Sequence, residues 1–344
     1  MILAIDVGGT KLAAGLVGRD GAVVRALRAA TPQDADADSL WKTLLDLVEP
    51  LAAEARVEGV GVGCGGPMTW PDGEVSPLNI PGWRAFPLRA ALAGRFPGLP
   101  VRLHNDAVCL AVAEHWKGAG KGARDMLGMV VSTGVGGGLV LGGRLIDGGT
   151  GNAGHIGHVV VEPEGGPPCG CGGHGCLEAV ARGPALTRWA ESQGWSPGTY
   201  GGGDDLRASA TTGDAGDAEG AEGAEGRSWA YREDRAVTGR ALAADARAGD
   251  PVAVRAMRRA GRALGIAIAS ATHLCDLDVV TVGGGLSQAG DLLFGPLEEA
   301  LREHARMEFA RRVRVLPAAL GQDAGLVGAA ALLLAADRYW SPLR

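Results

Sequence analysis

Ile2-Leu3-Ala4-Ile5-Asp6-Val7-Gly8-Gly9-Thr10-Lys11 is the stretch whose reading decides the fold. Ile2 to Ile5 is a short apolar run of strand type, Asp6 closes it, and a glycine pair turns the chain. Lys11 to Val17 and Ala22 to Ala26 read as its hairpin partners. A carboxylate and a glycine turn at the carboxyl end of a strand mark the place where α/β sheets bind ligands. Gly8 and Gly9 let backbone amides approach phosphate oxygens, and Thr10 and Lys11 add donors. Asp6 is placed to hold hydrated magnesium. A glycine pair also makes an ordinary hairpin turn, so this turn alone does not decide between the two. It is not a Walker loop, because the Gly-x4-Gly-Lys-Ser/Thr spacing is absent.

Outward from this start, strands and helices alternate. Ser39 is expected to cap a helix whose apolar stripe is Leu40, Leu44, Leu45, Leu47 and Val48. Val57 to Gly63 and Val101 to Leu103 read as further strands, and a helix from Ala107 to Trp116 follows Asn105-Asp106. A second series begins at Met126, where Met129-Val130-Val131 runs into Ser132-Thr133-Gly134 and Gly138 to Leu141 returns as a hairpin. A helical pattern runs from Val252 through Ile268, a strand from Leu277 to Val282 stops at Gly283-Gly284-Gly285, and Val313 to Leu316 is the last strand. Leu326 to Ala335 is an apolar closing helix. The chain is thus α/β in two halves, with a ligand crevice expected at strand carboxyl ends. Between Ser192 and about Arg240 the composition turns to Gly, Ala, Asp and Glu, including the near-repeat from Asp217 to Gly226. Such a segment buries too little apolar surface to offset its chain entropy and reads as a flexible surface insertion.

The 344 residues suffice for two cores. A formal net charge of -6 argues against a nucleic-acid surface. No apolar run has the length that spans a bilayer, and no basic leader precedes Ile2, so a cytoplasmic protein is expected. Of six cysteines, Cys64, Cys109 and Cys275 lie in scattered apolar contexts and read as buried free thiols. The other three crowd into one window with His155, His158, His174 and Glu178. Cys169, Cys171 and Cys176 with one imidazole suit a closed tetrahedral zinc site, in which no position remains for a catalytic water. His158 and His174 both compete for the fourth position.

Three glycine turns, each after a strand, point to backbone cradling of a nucleotide: Gly8-Gly9, the run from Ser132 to Gly138, and Gly283 to Gly285. Asn105-Asp106 closes a strand and opens a helix. It reads either as an N-cap or as a carboxylate that takes the proton of a substrate hydroxyl attacking phosphorus.

Taken together, these residues resemble the ROK family of sugar kinases and repressors over nearly the whole chain except the acidic insertion. Asp6 to Lys11 resembles the family's phosphate loop. Gly65-Gly66-Pro67 and Asn79-Ile80-Pro81-Gly82-Trp83 resemble its sugar-side loops. Asn105-Asp106 resembles its sugar-binding pair, with Asp106 as catalytic base. His158 with Cys169, Cys171 and Cys176 resembles its zinc site, which demotes His174. Glu178 matches a glutamate that contacts sugar hydroxyls, and Asp323-Ala324-Gly325-Leu326 resembles the start of the closing helix.

The resemblance implies a two-domain, actin-like (ribonuclease H-like) sugar kinase fold with a cleft between domains. Residues 1–117 with about 322–344 would form the smaller domain. Residues 118–321 would form the larger, holding the zinc loop 158–176 and the insertion at about 195–240. The implied activity is transfer of the ATP γ-phosphoryl group to a sugar's 6-hydroxyl. Sugar ligands would be Gly66, Asn79, Asn105, Asp106, His155, His158 and Glu178. ATP and magnesium would be held by Asp6, Gly8, Gly9, Thr10, Lys11, Thr133, Gly134, Gly136, Gly137, Gly138, Gly283, Gly284 and Gly285.

One departure bears on the sugar. Many glucose-using members carry glutamate where this chain has His155. A carboxylate only accepts hydrogen bonds, whereas a neutral imidazole donates one and accepts one. Gly-His-Ile-Gly-His, Gly154 to His158, is similar to bacterial N-acetylmannosamine kinases, and an acetamido carbonyl suits a His155 donor. Glucose is the alternative, and N-acetylglucosamine comes third. The family's repressors carry a helix-turn-helix domain ahead of the sugar-binding body. The first strand here begins at residue two, so no such domain is expected. A non-catalytic sugar sensor would be expected to lack the base or the phosphate loops. The family also leads one to expect a homo-oligomer, dimer or tetramer, with no nucleic-acid or membrane partner.

Overall fold

The computed structural model describes residues 1–198 and 239–340. Two five-stranded sheets repeat one plan. The first contains β1 (Ile2–Val7), β2 (Lys11–Val17), β3 (Val23–Ala30), β4 (Gly59–Cys64) and β7 (Val101–Asn105), in the order β3-β2-β1-β4-β7. Between β4 and β7 the chain makes a small antiparallel ribbon of β5 (Met68–Thr69) and β6 (Glu74–Val75). The second sheet contains β8 (Met126–Val131), β9 (Val135–Leu141), β10 (Arg144–Leu145), β11 (Val279–Gly283) and β12 (Arg314–Pro317), in the order β10-β9-β8-β11-β12. In each sheet an antiparallel meander leads into parallel pairings, β1-β4-β7 and β8-β11-β12. The central strand β4 is buried throughout and β1 at every position but Asp6, as their largely apolar sequences require.

Ten helices fill the layers among the described residues. They are α1 (Ala37–Glu54), α2 (Leu88–Arg95), α3 (Asp106–Lys117), α4 (Leu177–Ala181), α5 (Gly183–Ser192), α6 (Gly239–Arg247), α7 (Pro251–Cys275), α8 (Asp291–His304), α9 (Ala324–Leu334) and α10 (Ala336–Tyr339). Ser39 does not cap α1. Asp36 does, its Oδ1 accepting the Ser39 N–H at 2.9 Å. A carboxylate three residues upstream outcompetes the hydroxyl already inside the first turn. α7 starts at Asp250, whose carboxylate accepts from Val252 and Ala253 at 2.8 Å.

Helices α3 and α9 decide where the site sits. α3 leaves β7 of the first sheet and packs on β8 and β9 of the second. α9 follows β12 of the second sheet and packs on β1 and β4 of the first. The two helices also pack on each other, so each sheet's last helix crosses to its neighbour. Small residues permit this contact. A Cβ at Gly328 would overlap the Cys109 carbonyl, and one at Gly61 would overlap that of Ala329. The consequence is that the start of α3, next to the end of β7, lies against β9 of the second sheet, and the start of α9 lies against Asp6 at the end of β1.

The expected acidic insertion, about 195–240, lies for the most part outside the described residues. Its described edges differ from the expectation. Trp195 is buried, and its Nε1 donates to Asp245 Oδ2 at 2.9 Å. The chain at the other edge enters α6 at Gly239. An indole and a buried acceptor thus anchor the start of a segment whose composition alone reads as unanchored.

Candidate active site

The first sheet delivers a cluster of polar groups from three strand ends. Asp6, at the end of β1, pairs in register with Gly63 of β4, and Cys64 pairs with Asn105 of β7. Asp106 follows as the first residue of α3. Asn105 caps that helix, its Oδ1 accepting from Ala107 at 3.0 Å and Val108 at 3.4 Å. With Asn105 as cap, the Asp106 carboxylate accepts from its neighbour Ala107 at 2.8 Å. Burial pushes the Asp106 carboxyl above the usual carboxylate range. Asp6 goes up to about 7, first through burial and second through repulsion by Asp106, against the pull of Lys11. Two carboxyls that resist ionisation side by side are expected of a site that binds a cation and accepts a proton.

The sugar-side loops meet this cluster. A Cβ placed on Gly9 would overlap the Asn79 side chain. One on Gly65 would come within 3.5 Å of Asn79 Oδ1 and 3.9 Å of Asp106 Oδ2. One on Gly66 would lie 3.3 Å from Asn105 Nδ2. Gly9, Gly66, Asn79, Asn105 and Asp106 are therefore neighbours. The turn at Gly8 is closed by a bond from its N–H to the Lys11 carbonyl at 3.0 Å. Three side chains missed in the sequence hold these loops. Thr31 Oγ1 and Gln33 Nε2 donate to the Gly8 and Gly9 carbonyls at 2.7 Å each. Arg84 donates to the carbonyls of Pro77, Ile80 and Trp83, which encloses the loop bearing Asn79. Local sequence carries no mark of such long-range bonds to backbone carbonyls.

The second sheet contributes turns rather than charges. Ser132-Thr133-Gly134 is a tight turn between β8 and β9, with the Ser132 N–H bonded to the Gly134 carbonyl at 2.8 Å. Thr133 is exposed at its tip. Gly136, Gly137 and Gly138, grouped with that loop in the sequence, lie instead inside β9. A Cβ at Gly136 or Gly138 would crowd Ala107 or Ala111 of α3, so these glycines admit the helix. Gly284 has φ +90°, and a Cβ there would overlap the Val131 carbonyl, so this turn after β11 needs glycine. Gly283 and Gly285 flank it.

The window from His155 to Glu178 forms one knot. Ligand atoms of His158, Cys169, Cys171 and Cys176 all lie within 4.8 Å of one another. Cys169 Sγ is 3.7 Å from His158 Nδ1, and Cys171 Sγ is 3.7 Å from Cys176 Sγ. Zinc bonds of about 2.3 Å to sulfur and about 2.0 Å to nitrogen put tetrahedral ligands about 3.5–3.8 Å apart, so the set fits zinc. His174 lies outside this group and pairs backbone with Pro168. Cys176 is the residue before α4, and Glu178 sits in the first turn of that helix. Glu178 Oε2 accepts the Val135 N–H at 2.9 Å, which ties the knot to the turn at Thr133-Gly134. The His155 and His158 rings stack at 6.1 Å, and burial holds the His155 imidazole below its ordinary range, hence neutral at pH 7.

Residues 2–336 match the model of the ROK family. The chain belongs to the ROK family. A Thermotoga maritima glucokinase is 33% identical over 334 residues, covering 96% of each chain. An N-acetylmannosamine kinase of Shigella flexneri is 34% identical over 336 residues, covering 96% of this chain and 97% of the relative. The solved structure of a ROK family glucokinase from Streptomyces griseus, in complex with glucose and AMPPNP, superposes with a TM-score of 0.76 at 33% identity. It covers 96% of this chain and 98% of that one. This ROK protein therefore has the two-domain actin-like fold of the family's sugar kinases, and it is an ATP-dependent sugar kinase. Among the described residues, no helix is long and apolar enough to cross a membrane.

Proposed function

We propose that this kinase phosphorylates the 6-hydroxyl of N-acetylmannosamine, with Asp106 as the general base. The observation that carries the base is the placement of the Asp106 carboxyl. It lies at the start of α3, directly after β7 and beside Gly65 and Asn105, in a setting that raises its pKa. A carboxyl whose pKa is raised by burial is a stronger acceptor for a hydroxyl proton than an ordinary carboxylate. The attacking oxygen then meets the γ-phosphorus, and phosphoryl transfer needs little from the protein beyond this base, positioning and charge neutralisation.

Asn79, Asn105, His155, His158 and Glu178 orient the sugar. Gly8, Gly9, Thr10, Lys11, Thr133 and Gly134 face the phosphates, and Gly283 to Gly285 hold the nucleotide. Asp6 would hold magnesium, which offsets phosphate charge when bound. The zinc set would be structural, since four protein groups fill it. It fixes the α4 start and so the position of Glu178. Closure of residues 1–117 with the C-terminal helices over residues 118–321 would exclude water that competes as acceptor.

His155 supports the N-acetyl substrate. A neutral imidazole donates a hydrogen bond to an acetamido carbonyl, whereas a glutamate in that position would repel it. Glucose is the second reading, favoured by the full-length similarity to a glucokinase. A coupled ADP-release assay over N-acetylmannosamine, glucose, N-acetylglucosamine, mannose and fructose tests the proposal. The highest kcat/KM is expected for N-acetylmannosamine. A glucose preference overturns the substrate, and no turnover of any sugar overturns the reading of the site.

A further inference from the structure

His104 precedes Asn105-Asp106 on β7, and its ring is 1% exposed. The Asn105 N–H donates to His104 Nδ1 at 2.8 Å. Nδ1 is thus an acceptor, and the ring proton resides on Nε2. Nε2 lies 3.1 Å from Asp147 Oδ1. Asp147 follows β10 of the other sheet, and its side chain is 12% exposed. The Asp147 carbonyl accepts from the Ala153 N–H at 3.0 Å, closing a loop that leads to His155. The Trp70 indole lies against His104, with ring centroids 4.7 Å apart. A side chain at Gly151 would run into that same indole, so the loop packs on Trp70 as well. The loop to His155 is therefore fastened at two points, to Trp70 in the turn between β5 and β6 and, by a single hydrogen bond, to the buried His104 imidazole on β7.

We propose that His104 is a positioning residue: its bond to Asp147 straps the segment bearing His155 onto the strand bearing Asn105 and Asp106, and so sets affinity for the sugar without touching it. The inference rests on the reading of His155 and Asn105-Asp106 as sugar-binding groups. The physical reason is geometric. The sugar must meet groups from both sheets at once, and a donor bond to a partly buried carboxylate is among the stronger neutral-to-charged contacts. A slack loop lowers the population of the binding-competent arrangement. That loss falls on ground state and transition state alike, so it appears in KM rather than kcat.

The test uses the full chain. Asp147→Ala should raise amide hydrogen exchange across residues 148–156 by about tenfold and the sugar KM by about tenfold, with kcat and the ATP KM within about twofold. Asp147→Asn keeps an oxygen that accepts from Nε2 and should restore both quantities. His104→Ala combined with Asp147→Ala should be no worse than Asp147→Ala alone, because the pair acts as one contact. Unchanged exchange in Asp147→Ala overturns the strap. So does an equal rise in the ATP KM, or raised exchange with an unaltered sugar KM. If the unaltered protein phosphorylates no hexose, the exchange measurement still decides the strap, and it is the functional reading that falls.

Discussion

The two sheets share a strand plan and divide the chemistry unequally. In the first, strand ends carry Asp6, Asn105 and Asp106, and the buried carboxyls there sit above their ordinary pKa. In the second, the corresponding ends carry Ser132-Thr133-Gly134 and Gly283 to Gly285, with no acidic group among them. Its acid, Glu178, arrives on α4 and spends one oxygen on the Val135 amide. The same topology therefore builds a charged wall and a wall of backbone donors. Under the proposed function, a phosphoryl group carried between them would meet a base and a cation site on one side and hydrogen-bond donors on the other.

Replacing the proposed base tests the charged wall most directly. Asp106→Asn should lower kcat by about 10²–10⁴-fold, the usual worth of a general base, while calorimetry still detects sugar binding. Near-normal turnover would show that the two walls do not differ in this way.

Asp6→Asn separates stability from activity. The folded-state pKa of Asp6 is raised from 3.8 to about 7. The folded protein thus holds this proton where the unfolded chain has lost it. Stability from that source is full below pH 3.8 and is lost as pH rises through about 7. At pH 8 the ligand-free Asp6→Asn protein should melt higher, on the order of a few °C, yet lose most magnesium-ATP turnover. A lower melting temperature at pH 8 would contradict the cost assigned to this carboxyl. In the unaltered protein, apparent magnesium affinity should weaken as pH falls below 7.

The knot behind the second wall should matter less for chemistry than for geometry. Metal analysis should find about one zinc per chain. Chelation or Cys171→Ser should weaken sugar binding about 10–100-fold, with a smaller effect on ATP, because Glu178 and His158 lose their support. A stable, fully active, metal-free protein would remove the knot from the account. The smallest expected effect is on selectivity. His155→Glu should shift the kcat/KM ratio of glucose to N-acetylmannosamine toward glucose by about tenfold, the scale of one hydrogen bond. An unchanged ratio would show that His155 does not read the sugar.

Much of this was legible along the chain because it is local. A strand followed by Asp6 and two glycines, or by Asn105-Asp106 and a helical pattern, announces its own turn or cap. The Cys-Gly-Cys spacing brings its thiols together without help from the fold. Errors arose where two local readings compete. Asp36 and Ser39 can both cap a helix, and only the observed path of the chain selects Asp36. Gly136 and Gly138 continue a glycine run, and only the approach of α3 shows that their missing side chains admit a helix.

The succession of strands along the chain, the polar residues that close β1 and follow β7, and the cluster of three thiols were determined by the sequence alone, because each rests on residues within a few positions of one another, whereas the meeting of His158 with those thiols was left to the fold. Which groups meet was decided by tertiary structure. α3 and α9 cross between sheets, Thr31 and Gln33 reach the first glycine turn, Arg84 encloses the Asn79 loop, and His104 meets Asp147 across 43 positions. Such contacts join single polar atoms far apart in the chain, and a pattern of neighbours along a sequence holds no record of them until the core has packed.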